Sequence, residues 1–108
     1  MALFADDCVY YASFGTEDDG TTYTGQSAVR AAFTAGFASH LDGRYDDVSY
    51  LVDGERAALQ WTFCGTSEET GERVVIRGCD LITFASSKIT VKDAFRKQKF
   101  SAQDGDVS

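Results

Sequence analysis

Residues 51–66, LVDGERAALQWTFCGT, and 78–95, GCDLITFASSKITVKDAF, read as β-structure folded back on itself. Ala57, Leu59, Trp61 and Phe63 alternate with Ala58, Gln60, Thr62 and Cys64, so one face of the first run is strongly apolar and the other small and mildly polar. Asp53-Gly54 is a two-residue hairpin signal, Ser67 to Gly71 a longer turn and Ala85-Ser86-Ser87 a third. These turns separate four β-runs, 44–52, 55–66, 72–84 and 88–100, joined as an antiparallel meander. Gly78, inside the third run, predicts a bulge or bend.

Upstream the apolar period lengthens from two to nearly four. Val29, Phe33 and Phe37, with Ala32 and Gly36 beside them, form a stripe on a helix that starts at Gly25 or Ser27 and ends about Ser39. Asp42-Gly43 closes that unit. Before it, residues 3–7 read as the last turn of a helix, 8–12 as a short strand and 13–22 as a polar loop. A helix laid on one face of an antiparallel sheet is an α+β arrangement. Residues 1–100 form a single domain in this reading, and the polar 101–108 a tail.

A chain of 108 residues holds one core. Ten Lys and Arg against 17 Asp and Glu leave a net charge of −7, which repels nucleic acid and anionic lipid, so neither is an expected partner. No apolar run reaches the length of a membrane span and no basic leader precedes Asp6-Asp7; the expectation is a cytoplasmic protein. Cys8, Cys64 and Cys79 are odd in number, far apart and outside any C-x-x-C pair, which supports neither a disulfide framework nor a zinc site. The single histidine, His40, reads as a cap at the helix C-terminus or a surface residue, and one imidazole removes most Ser-His-Asp and transition-metal mechanisms. No metal or cofactor is expected, and acid–base chemistry falls to carboxylates, tyrosines or lysines.

Four segments in this order, LFADDCVYY at 3–11, YTGQSAVRAAF at 23–33, LVDGERAALQWTFCGT at 51–66 and GCDLITFASSKITVKDAF at 78–95, resemble the nuclear transport factor 2-like superfamily, and within it the SnoaL-like proteins. The resemblance implies a cone-shaped α+β fold, a curved antiparallel sheet wrapped around helices, with a pocket at the open end and frequent homodimers. It also implies that the N-terminal helix is shortened or absent here. One chemistry is not implied, because the superfamily holds isomerases, cyclases, hydrolases and non-catalytic transport factors. Asp80 matches the oxyanion-hole aspartate of ketosteroid isomerases, whose base falls on Ala12-Ser13 in this chain. Asp93 matches the catalytic aspartate of limonene epoxide hydrolases, whose partner Arg-x-Asp falls on Gln60 and Thr62.

An unbroken last hairpin pairs Phe84 with Ile89 and Ile82 with Val91, which sets Asp80 opposite Asp93. Two carboxylates at that range share a proton, giving a catalytic pair. The competing arrangement has Lys92, Arg77 or Lys88 reaching over as an ordinary salt bridge. Tyr10, Tyr11 and Tyr23 are candidate ligand-contacting hydroxyls near the pocket mouth, and Gln60 and Thr62 candidate inward-facing polar groups. Leu59, Trp61 and Phe63 read as core or dimer seam, and apolar residues on both faces of that strand predict a homodimer through the convex sheet face. The function expected is a SnoaL-like pocket protein, a cofactor-independent acid–base enzyme using Asp80 and Asp93 on a small hydrophobic substrate. The alternative is a non-catalytic ligand-binding or protein-interaction module of the same fold.

Overall fold

The computed structural model describes residues 2–98. Six strands and one helix follow in the order β1 (Phe4–Tyr11), β2 (Thr22–Thr24), α1 (Gln26–Ala38), β3 (His40–Asp53), β4 (Arg56–Ser67), β5 (Arg73–Ala85) and β6 (Lys88–Gln98). They form one sheet in the spatial order β2-β1-β6-β5-β4-β3, in which β1 and β6 run parallel and every other pair antiparallel. The tail 101–108, and the expected extension of the last strand to Phe100, lie outside the described residues.

The helix covers one face of the sheet, the inner face. Gly25 is its N-cap at φ 89°, a conformation glycine adopts without a Cβ clash. The four-residue stripe then points at the sheet. Val29 is fully buried, Phe33 meets Phe4 and Tyr10 edge-on, and Phe37 meets Tyr45 and Phe63. Strand pairing places Leu59, Trp61 and Phe63 of β4 on this inner face with Ile76, Asp80 and Ile82 of β5, and most of the buried apolar residues gather there.

Three local expectations are corrected. Residues 3–7 are not a helical turn: β1 begins at Phe4, lies between β2 and β6, and the Ile89 N–H donates to the Leu3 carbonyl at 2.8 Å. Asp42-Gly43 does not close the unit either. Strand β3 starts at His40 and absorbs extra residues at two register shifts, with Asp42 and Asp47 at φ 48° and 54°, a region that a short polar side chain tolerates. Gly78 carries no bulge, since Trp61↔Gly78↔Arg96 are in continuous register. The irregularity of that hairpin sits at its turn end instead, between Thr83 and Phe84, where Thr90 is the extra residue. Ser39 is the helix C-cap, its hydroxyl donating to the Gly36 carbonyl at 2.8 Å, and His40 Nδ1 lies 2.9 Å from that hydroxyl.

Candidate functional site

The Thr90 bulge sets the chemistry of the inner face. Phe84 pairs with Ile89 as expected, but beyond the bulge Ile82 pairs with Lys92, Leu81 with Asp93 and Asp80 with Ala94. One inserted residue turns every later side chain of β6 to the opposite face. Lys92 and Ala94 therefore stand beside Asp80, and Asp93 stands on the outer face next to Leu81 and Tyr11. The expected Asp80–Asp93 juxtaposition does not form. The register that does form places a lysine by the buried carboxylate, where the unbroken one would face two like charges. Thr90 closes the bulge by donating from Oγ1 to the Thr83 carbonyl at 3.2 Å.

Asp80 is 5% exposed, the one charged side chain buried among the described residues. The Trp61 indole N–H donates to its Oδ2 at 3.1 Å, and Lys92 Nζ lies 3.6 Å from the same oxygen. Oδ1 is buried and has no hydrogen-bond partner among the described residues. Trp61 reaches Asp80 across Gly78, its direct partner on β5, and a Cβ on Gly78 would run into the indole ring. Lys92 Nζ sits over the rings of Phe33, at 4.7 Å from the centroid, and Tyr10, at 5.8 Å. Tyr45 packs edge-on to Trp61 at 5.3 Å, and Tyr10 stacks on Tyr23 at 5.7 Å.

Burial pushes the Asp80 carboxyl above its ordinary range, and the Lys92 charge and the Trp61 hydrogen bond offset only part of this. Tyr10 is pushed up to about 12, first by burial and then by the Asp80 charge, and Tyr45 is raised for the same two reasons. Both tyrosines are neutral phenols at physiological pH. Asp93 is also raised, by desolvation and by the charge of Asp19, and lines an open groove of about 290 Å³ with the 12–20 loop and Arg96.

The structure thus gathers Asp80, Tyr10 and Tyr23 on the inner face and leaves Asp93, Tyr11, Gln60 and Thr62 on the outer one. Gln60 and Thr62, expected to point inward, pair with Cys79 and Arg77 and share their outward face, because β4 alternates and its odd positions carry the large apolar side chains. Of the cations weighed as salt-bridge partners, Lys92 reaches Asp80; Arg77 is on the outer face, and Lys88 donates to the Ala2 carbonyl. Trp61, Phe33 and Tyr45 belong to the site and were not foreseen in it. The one signal for Trp61 was its place opposite an interior glycine. Among the described residues, no three His, Cys, Asp or Glu side chains converge to hold a metal ion.

A helix on one face of a curved, unclosed six-stranded sheet, with a buried carboxylate under aromatic rings, defines a cone fold of the nuclear transport factor 2-like type. The SnoaL-like domain model matches residues 1–92, and the chain belongs to that family. Similar solved structures include an NTF2-like protein of unknown function from Mesorhizobium loti, 25% identical with a TM-score of 0.69, covering 89% of this chain and 73% of that one. A candidate SnoaL-like polyketide cyclase from the same organism is also 25% identical, with a TM-score of 0.69, covering 86% and 78%. A protein of unknown function with a cystatin-like fold from Xanthomonas campestris, 20% identical, covers 90% and 74% with a TM-score of 0.68. No curated protein matches the sequence.

Proposed function

We propose that this SnoaL-like chain is a small-molecule pocket protein working as a cofactor-independent acid–base enzyme, of isomerase, cyclase or hydrolase type, with Asp80 as the proton-transfer group on a small hydrophobic substrate. The observation that carries this reading is the Oδ1 atom of Asp80, buried and without a hydrogen-bond partner among the described residues. An unpaired buried carboxylate oxygen is costly, and a ligand hydroxyl or enol that donates to it removes that cost. Burial raises the affinity of Asp80 for a proton, which suits a group that takes up and returns one, and the rings of Tyr10, Phe33 and Tyr45 suit an apolar ligand body. Asp93 has no part in this reading, because it faces away from Asp80.

The chain holds one tryptophan, and it donates to Asp80, so indole emission reports on this site alone. Titration with small cyclic ketones and enols is expected to change that emission, and Asp80→Asn is expected to slow any turnover by about 10²-fold. Silence of Trp61 toward every such compound would favour the non-catalytic module. The outer face carries exposed Val75, Leu81 and Phe95, which supports a homodimer through that face; a monomer in sedimentation at micromolar concentration rejects it. Three separate free thiols, Cys8, Cys64 and Cys79, fit a reducing cytoplasm.

A further inference from the structure

Lys92 has a neighbourhood unlike that of the other lysines in the described residues. Lys88 and Lys97 are exposed to water, whereas the Lys92 side chain is 25% exposed and its amine rests on the Phe33 and Tyr10 rings. At 3.6 Å from Asp80 Oδ2 the amine is in charge contact with the carboxylate without being clamped by a short hydrogen bond. The two oxygens of Asp80 are differently engaged: Oδ2 faces Lys92 and Trp61, and Oδ1 is unpartnered. An amine resting on aromatic rings, a carboxylate in charge contact with it and an unpartnered acceptor oxygen on that carboxylate are the groups that amine–carbonyl condensation needs.

We propose that Lys92 is a carbonyl-reactive amine, which forms an imine with a small apolar aldehyde or ketone held under the helix while Asp80 relays the protons. The inference rests on reading Asp80 as the polar centre of a ligand pocket. Lys92 first passes a proton to Asp80. Its nitrogen lone pair then forms a bond to the carbonyl carbon, and the C=O π pair moves to oxygen, which takes the proton back from Asp80. The nitrogen of this adduct loses one proton to the Asp80 carboxylate. Asp80 then delivers that proton to the new hydroxyl, the C–O bond breaks, and water leaves. The product is a protonated imine beside an ionised Asp80. An ammonium and a ketone have become an iminium and a water, so the positive charge facing Asp80 is unchanged and no oxidant, reductant or metal is consumed. The raised proton affinity of Asp80 suits the first transfer.

The test uses benzaldehyde as probe with cyanoborohydride, which reduces an imine to a stable amine, followed by peptide mass spectrometry of the full chain. Selective labelling of Lys92 is expected, about tenfold or more faster than of Lys88 or Lys97. The Lys92→Arg variant keeps the charge over the rings and is expected to lose that label, while Lys88→Arg keeps it. Asp80→Asn is expected to slow labelling of Lys92 by about 10²-fold with Lys88 unaffected, a difference that a general loss of structure does not produce. Even labelling of the lysines, or an Asp80→Asn rate equal to that of the unmodified chain, overturns the proposal. If Trp61 emission responds to benzaldehyde while Lys92 stays unlabelled, the imine is rejected and the pocket stands. If neither responds, both readings fall.

Discussion

Gly78 has no side chain, and the Trp61 indole occupies the space. Gly78→Ala is therefore expected to push the indole off Asp80, destabilise the fold by about 1–3 kcal/mol and shift the Trp61 emission maximum; chemical denaturation followed by fluorescence checks both. Asp80 itself makes a pH-dependent prediction. Its folded-state proton affinity is raised above the ordinary value of 3.8, so the native state holds that proton more tightly than the unfolded chain. The resulting stability is fully present below pH 3.8 and is lost as pH rises through the raised value. Asp80→Asn mimics the protonated form and still accepts from Trp61, so its stability relative to the unmodified chain should improve between acid and neutral pH and reach parity or slightly better there. Asp80→Leu strands the indole N–H and should cost about 1–3 kcal/mol at every pH. Thermal melts across that range decide the matter, and a pH-independent difference for Asp80→Asn rejects the assignment.

The β5–β6 hairpin shows how one element positions a site. Its turn holds Ser86 and Ser87 at φ 51° and 65°, both in the left-handed region that Asn-Gly occupies at less cost. Replacing the two serines by Asn and Gly is expected to stabilise the chain by about 1 kcal/mol or more without moving β6, as read by denaturant midpoint at unchanged slope. The Thr90 bulge is more consequential, because it selects which β6 residues face the helix. Thr90→Val keeps the shape and removes the bond to the Thr83 carbonyl; a loss of about 0.5–1.5 kcal/mol is expected. The hairpin, its turn and the pairing of Phe84 with Ile89 were readable in the local pattern. The bulge was not, because Ile89 and Val91 on alternate positions fit an unbroken hairpin with Phe84 and Ile82, and a one-residue insertion leaves no mark in that local pattern.

At the level of the whole molecule, a single helix covers only part of a six-stranded sheet. On the inner face Tyr50 and Val52 remain 71% and 62% exposed, and on the outer face Val75 and Phe95 are 53% and 52% exposed. The proposed burial of the outer residues by a second copy has a testable consequence. Phe95→Glu puts a charge into that seam and, on a chain already at −7, should shift the sedimentation coefficient to that of a monomer while leaving Trp61 emission unchanged. Unaltered sedimentation of a dimeric Phe95→Glu places the interface elsewhere.

Alternation along 55–66, the four-residue stripe from Val29 to Phe37 and the turn residues between the β-runs determined the α+β layout, because side-chain period is a local property set by backbone geometry, while the cone shape was implied by the family resemblance. The resemblance singled out Asp80, together with Asp93, and Tyr10 was one of three candidate tyrosines with Tyr11 and Tyr23. Which residues stand beside Asp80 was a tertiary matter. Face assignment on β6 depends on how many residues lie between the turn and the site, and a single bulge residue exchanged Asp93 for Lys92. The alternation of β4 showed two unlike faces but not which one the helix covers. Packing of Phe37 against Phe63 settled that, turning Trp61 toward the carboxylate and Gln60 and Thr62 away from it, because the larger apolar area is buried by that choice.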